Sequence, residues 1–122
     1  MTITIEMLDP DATLIIVDGR IDQTQTPQLE QELNHLLGNG RNRLIIDMTG
    51  TTYINSGGLR TLVSAWRKAR ESGGDVILFG LPQRIADIFA MVGFDKVFRI
   101  VNTQAEATRA LSDTQPDNDQ SP

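Results

Sequence analysis

Residues 44–59 read Leu44-Ile45-Ile46-Asp47-Met48-Thr49-Gly50-Thr51-Thr52-Tyr53-Ile54-Asn55-Ser56-Gly57-Gly58-Leu59, a strand that gives way across a polar connection to the start of a helix. The run Leu44-Ile45-Ile46 is continuously apolar, as expected of a strand covered by helices on both faces. From Leu59 onward the period changes: Leu59, Leu62, Val63 and Trp66 follow the spacing of one helix face. Ser56 stands where the period changes. A helix start offers backbone N–H groups without intrahelical partners and the positive end of the aligned peptide dipoles. Serine is a preferred cap at such a place, and most serines there do nothing more. A phosphate on Ser56, carrying about −1.5 to −2 charges near neutral pH, would meet a place already disposed to hold an anion. Gly57 and Gly58 strip side chains from the same turn, so another protein's backbone can approach Ser56 closely.

The pattern continues on both sides of this stretch. Leu14-Ile15-Ile16-Val17 and Val76-Ile77-Leu78-Phe79 are further continuous apolar runs, and Val97 to Val101 is a weaker one. Ile3, Ile5 and Met7 alternate with Thr2, Thr4 and Glu6, the period of an edge strand buried on one face. Helical spacing recurs at Leu29, Leu33, Leu36 and Leu37, and again at Ile85, Ile88, Phe89 and Val92. A short last helix is expected over residues 104–111, with Ala105, Thr108 and Leu111 on one face. Asn39-Gly40 and Gly73-Gly74 close the first two helices, and Pro82 opens the third. The element order is therefore β-β-α-β-α-β-α-β-α. Such alternation indicates an α/β domain with a mostly parallel sheet, an N-terminal edge strand and about four helices. Residues 1–111 form this domain, and the acidic segment 112–122, SDTQPDNDQSP, reads as a disordered tail.

Composition narrows the functional classes. The chain has 122 residues with a formal charge of −5 and no cluster of basic residues fit to track a phosphate backbone, so nucleic acid is not expected as a direct partner. It has no cysteine, which removes disulfides, thiolate metal sites and cysteine nucleophiles. The first ten residues lack the basic start and apolar block of a secretory signal. No apolar run approaches the length of a membrane span, so a soluble cytoplasmic protein without membrane insertion is expected.

In sheets of this kind functional groups gather beyond the carboxyl ends of the parallel strands. Asp22, Asp47 and Ser56 fall there, although either acid can simply bond local backbone amides. Ile54 occupies the position where a nucleophile elbow needs glycine. The single histidine, His35, lies near the C-terminal end of the first helix, where it meets solvent or the last carbonyls rather than serving as a base. No P-loop and no metal-ligand constellation is present, so no catalytic residue, metal or cofactor is assigned. Trp66 reads as core. Met91 and Phe94, flanking Gly93, read first as core and second as an exposed partner-binding edge.

Taken together, the element order, the run Leu44-Ile45-Ile46-Asp47 and the turn Tyr53-Ile54-Asn55-Ser56-Gly57-Gly58-Leu59 resemble the STAS domain family, specifically the bacterial anti-sigma-factor antagonists. Gly19-Arg20-Ile21-Asp22 is similar to the family's Gly-x-Leu-Asp element, and Gly80-Leu81-Pro82 and Val92-Gly93-Phe94 fall where the family places similar residues. The resemblance covers roughly residues 3–111. It implies a protein that binds an anti-sigma factor, frees a sigma factor, and is inactivated when that anti-sigma factor, a serine kinase, phosphorylates it. A serine phosphatase would reset the switch. By position the phosphorylated residue is Ser56. The implied partner-binding residues are Asp22, Asn55, Ser56, Gly57, Gly58, Arg60 and Thr61, with Asp22, Arg60 and Thr61 at the rim. The sequence departs from the family pattern at Asn55, where the family carries an acid, and at Gly57, where it usually carries a second hydroxyl. Thr51 and Thr52 lie in the preceding loop. The alternative is a STAS module used as a non-switching scaffold or complex subunit, in a stress-signalling or lipid-transport assembly. A small enzyme or nucleotide-binding domain is a third class, disfavoured by the missing motifs.

Overall fold

A computed structural model of the chain describes residues 1–8 and 10–113. The strands are β1 (Thr2–Leu8), β2 (Ala12–Ile21), β3 (Arg43–Asp47), β4 (Thr51–Ile54), β5 (Asp75–Phe79) and β6 (Arg99–Val101). The helices are α1 (Thr26–Gly38), α2 (Ser56–Glu71), α3 (Gln83–Met91) and α4 (Gln104–Ser112), with one 3₁₀ turn at Phe94–Lys96. The main sheet runs β1-β2-β3-β5-β6, with β1 antiparallel at the edge and the other pairings parallel.

The continuous apolar runs sort by parity, because successive side chains of a strand point to opposite faces. Ile15 and Val17, Leu44 and Ile46, and Val76 and Leu78 join the larger core with Leu29 and Leu33 of α1, Leu59 and Leu62 of α2, and Ile85 and Phe89 of α3. Leu14, Ile45, Ile77 and Phe79 face the other way and meet Ala107, Ala110 and Leu111 of α4. Three helices thus cover one face of the sheet and α4 covers the other. The buried face of α4 is Ala107, Ala110 and Leu111, while Ala105 and Thr108 are exposed, so the expected Ala105-Thr108 face is corrected. Small alanine side chains let this helix sit close to the strands. Its end is tied down by Arg43, which donates to the Leu111 carbonyl at 3.1 Å and to Asp11 Oδ1 at 3.1 Å.

The structure adds a strand to the expected order. Thr51 to Ile54, of which Thr51 and Thr52 are expected as loop, forms β4 and pairs in parallel with the far end of β2, at Gly19 to Ile21. The ten-residue β2 is long enough to serve two partners: Thr13 to Ile16 pair with β3, and the bulge between Gly19 and Arg20 turns its end toward β4. Gly19 has φ +99°, a backbone region that favours glycine, and its N–H reaches the Gly50 carbonyl at 2.8 Å. Thr51 locks the shift by donating its buried hydroxyl to the Val17 carbonyl at 2.8 Å.

Further expectations change at the ends of elements. Met91 closes α3 and is 82% exposed, and Val92 is 47% exposed, so neither belongs to the core. Phe94 does pack inward, edge-on to Phe98 at 6.4 Å between centroids, as does Trp66 at 6.2 Å. Met7 of β1 is also exposed, whereas Ile3 and Ile5 lie against the larger core. Helix α4 runs through Ser112, one residue past the expected boundary, and the rest of the expected tail, residues 114–122, lies outside the described residues.

Candidate functional site

The ends of β2 and β4 seat the first turn of α2. The ladder continues past β4 through the Asn55 N–H, which donates to the Ile21 carbonyl at 3.1 Å. The chain then turns into the helix with Asn55 in extended conformation, φ −96° and ψ 178°. Asn55, rather than Ser56, is the N-cap: its Oδ1 accepts from the Gly58 N–H at 2.8 Å and its carbonyl accepts from the Leu59 N–H at 3.1 Å. Ser56 is the first residue of the helix itself. This corrects the expected capping role of Ser56 and leaves its exposed hydroxyl outside the cap.

Gly58 is required by packing. A Cβ there would stand 2.7 Å from Ile21 Cγ2 and 2.9 Å from Ile54 Cγ1, so the helix can rest on the strand ends only without a side chain. Gly57 is different, because a Cβ at that position meets nothing nearer than 3.5 Å. Arg60 is exposed on the same side of the helix as Ser56, four residues earlier. Thr61, expected at the rim, is only 9% exposed, with its hydroxyl donating to the Gly57 carbonyl at 3.0 Å. Five residues from Ser56 place it well round the helix from that serine.

Asp22 approaches the same site from the β2 side. Its Oδ1 accepts from the N–H groups of Thr24 at 3.1 Å and Gln25 at 3.3 Å, organising the turn into α1. Partial desolvation opposes its charge, but hydrogen bonds from the Thr24 side chain and from the Thr24 and Gln25 amides, with Arg20 nearby, outweigh it. The carboxyl group is therefore held below its ordinary pKa. Thr26 joins the two halves, its hydroxyl 3.0 Å from the Asp22 carbonyl and 3.4 Å from Asn55 Oδ1. Asp22, Asn55, Ser56 and Arg60 thus lie on one end of the molecule.

Several neighbours were not singled out from the sequence. Arg20 lies over the Tyr53 ring, 4.4 Å from its centroid, and 3.8 Å from Asp22 Oδ2. With Gln23, Thr24 and Asn55 these residues line an open polar depression. The signal was Arg20 within the quoted Gly19-Arg20-Ile21-Asp22 element. Asp47 has the local role expected of it, accepting from the Thr49 N–H at 2.9 Å. His35 is exposed at the end of α1, its Nε2 3.3 Å from Asn39 Nδ2. Among the described residues no cluster of His, Asp and Glu could hold a metal ion, and no helix is long and apolar enough to cross a membrane.

Comparison with known proteins identifies the family and the fold. The family model described as STAS domain matches residues 5–107. An anti-sigma-B factor antagonist of Listeria monocytogenes is 30% identical over 106 residues, which span 87% of this chain and 93% of the relative. The crystal structure of an anti-sigma factor antagonist from Mycobacterium paratuberculosis is 28% identical, with a TM-score of 0.77 over 91% of this chain and 93% of its own. The Bacillus cell fate determinant SpoIIAA, solved in its phosphorylated form, shares the fold at 17% identity, with a TM-score of 0.72 over 89% and 98% of the two chains. The six-stranded sheet, its four helices, the match over residues 5–107 and the Listeria relative establish that this chain belongs to the STAS domain family.

Proposed function

We propose that this protein is an anti-sigma factor antagonist that works by binding, not catalysis. In the unmodified state it sequesters an anti-sigma factor with serine-kinase activity and so frees a sigma factor. Phosphorylation of Ser56 by that partner releases the complex, and a serine phosphatase restores the binding state. The observation that carries this reading is the placement of Ser56. Its hydroxyl is exposed at the first position of α2, the capping duty belongs to Asn55, and the turn beneath is fixed by Gly58 against Ile21 and Ile54. A phosphate can be added there without disturbing the core.

The name of the Listeria relative and the phosphorylated state of SpoIIAA support the same reading. The proposed partners are proteins of the cytoplasm, with neither nucleic acid nor membrane insertion involved. Release needs only a few kcal/mol, because each ~1.4 kcal/mol is tenfold in affinity. Asn55 in place of the family's acid lessens repulsion toward a neighbouring phosphate and keeps the cap.

The test is a binding assay with the purified anti-sigma factor against wild type, Ser56→Ala and Ser56→Asp, together with mass spectrometry after incubation with that factor and ATP. Ser56→Ala should bind as wild type does and take up no phosphate, and Ser56→Asp should bind weakly. Binding of all three with equal affinity, and no phosphate on wild-type Ser56, would favour the non-switching scaffold instead.

A further inference from the structure

Helix α2 carries a charge opposite to that of the chain. Arg60, Arg67, Lys68 and Arg70 stand against the single acid Glu71 within its sixteen residues, in a protein whose formal charge is −5. The buried face of the helix is Gly58, Leu59, Thr61, Leu62, Ala65 and Ala69, which leaves Ser56, Arg60 and Arg67 on the outer face. At about 1.5 Å per residue, this row runs roughly 16 Å from Ser56 to Arg67.

Helix stability does not account for it. Lys68 and Arg70 lie in the last turn, where cations favour the dipole, and each has a partner, Asn34 Oδ1 at 2.9 Å and Asp75 Oδ2 at 3.3 Å. Arg60 instead lies near the positive end of the same dipole, in a helix with no acid in its first turn. Neither Arg60 nor Arg67 has an ion pair or hydrogen bond among the described residues.

We propose that the outer face of α2, from Ser56 through Arg60 to Arg67, is the docking surface for an acidic stretch of the protein that reads Ser56. The inference rests on the antagonist function proposed above and specifies the chemistry of its partner. It also specifies how modification breaks the complex. A phosphoserine carries about −1.5 to −2 charges, which offset Arg60 directly and lower the net positive charge of the row, while Arg67, roughly 16 Å away, is beyond direct reach. Arg60 is four residues on and within about 5–6 Å between Cβ atoms. The end of the row beside Ser56 loses its positive sign without any change of fold. Ser56→Asp adds one charge and should imitate only part of the effect.

The experiment titrates the purified anti-sigma factor into wild type, Arg60→Glu, Arg67→Glu and a control, Arg109→Glu, which lies on α4 across the sheet. Each titration is run at about 50 mM and about 500 mM NaCl, where the screening length shortens severalfold. Thermal melts establish that each variant is folded. Arg60→Glu and Arg67→Glu should each weaken binding by about tenfold or more at low salt, with the difference shrinking at high salt, and Arg109→Glu should match wild type. If wild type binds and Arg67→Glu binds within about twofold of it at low salt, the docking surface is refuted while the antagonist function stands. If wild type itself does not bind, both fail. Vesicles of phosphatidylglycerol and a short DNA duplex are the other anionic surfaces a basic row could meet. An Arg67-dependent interaction with either, in place of the protein partner, would overturn the proposal.

Discussion

Gly57 and Gly58 are neighbours in the first turn of α2, yet alanine at the two positions should act in opposite directions. At Gly58 the new Cβ would stand 2.7 Å from Ile21 Cγ2 and 2.9 Å from Ile54 Cγ1. Both isoleucines are buried at strand ends and cannot retreat without moving β2 or β4. Overpacking of this kind costs about 1–3 kcal/mol. Removing a helical glycine returns about 1 kcal/mol at most, so Gly58→Ala should lose up to about 2 kcal/mol. At Gly57 the nearest atoms are Asn55 Oδ1 at 3.5 Å and Thr26 Cγ2 at 3.6 Å, which is ordinary contact. Gly57→Ala therefore keeps the propensity gain of about 0.5–1 kcal/mol. With about 4 °C of Tm per kcal/mol for a domain of this size, the two variants should melt on either side of wild type. Trp66, the chain's single tryptophan, packs edge-on to Phe98 and reports the transition by fluorescence. A Gly58→Ala protein that melts at or above Gly57→Ala would refute the close seating of α2.

Other expectations concern the cap and the neighbouring turn. Asn55→Ala removes the acceptor for the Gly58 N–H and should cost about 1 kcal/mol in chemical denaturation, whereas Asn55→Asp keeps the cap and should match or exceed wild type. An Asn55→Ala protein as stable as wild type would show that the cap contributes nothing. For Asp22, the lowered folded pKa means that its stabilising contribution is present above the unfolded value, about 3.9, and is lost as pH falls through the folded value. In an acid titration followed by NMR, the Thr24 and Gln25 amides should shift with a midpoint below that of a free aspartate. A midpoint at or above 3.9 would contradict the hydrogen-bonded arrangement.

The sequence carried the architecture mainly through its apolar runs. Leu14 to Val17, Leu44 to Ile46 and Val76 to Phe79 announce strands covered on both faces, and the structure divides them between two cores by parity. β4 escaped because Thr51 to Ile54 is four residues long and hidden between Gly50 and Asn55, although its β-branched and aromatic composition is strand-like. Recognising it requires the partner, since Gly19 to Ile21 lies beyond the apolar run of β2 and pairs there by virtue of a bulge. The face of α4 was misphased because an alanine-rich helix has a weak apolar stripe, and the fit of Ala107 and Ala110 against Ile45 and Ile77 sets its rotation. At the site, Ser56 and Asn55 are both good capping residues. Only the geometry of the β4 end decides between them, giving the cap to Asn55 and leaving the serine hydroxyl exposed.

The most direct test of the account is calorimetric titration of the anti-sigma factor into two preparations of this protein, one unmodified and one carrying a single phosphate on Ser56 verified by peptide mass. The unmodified protein should bind, and the phosphorylated protein should bind about a hundredfold more weakly or worse, a difference of about 2.7 kcal/mol. Equal affinities for the two preparations would contradict the assignment of Ser56 as the switch.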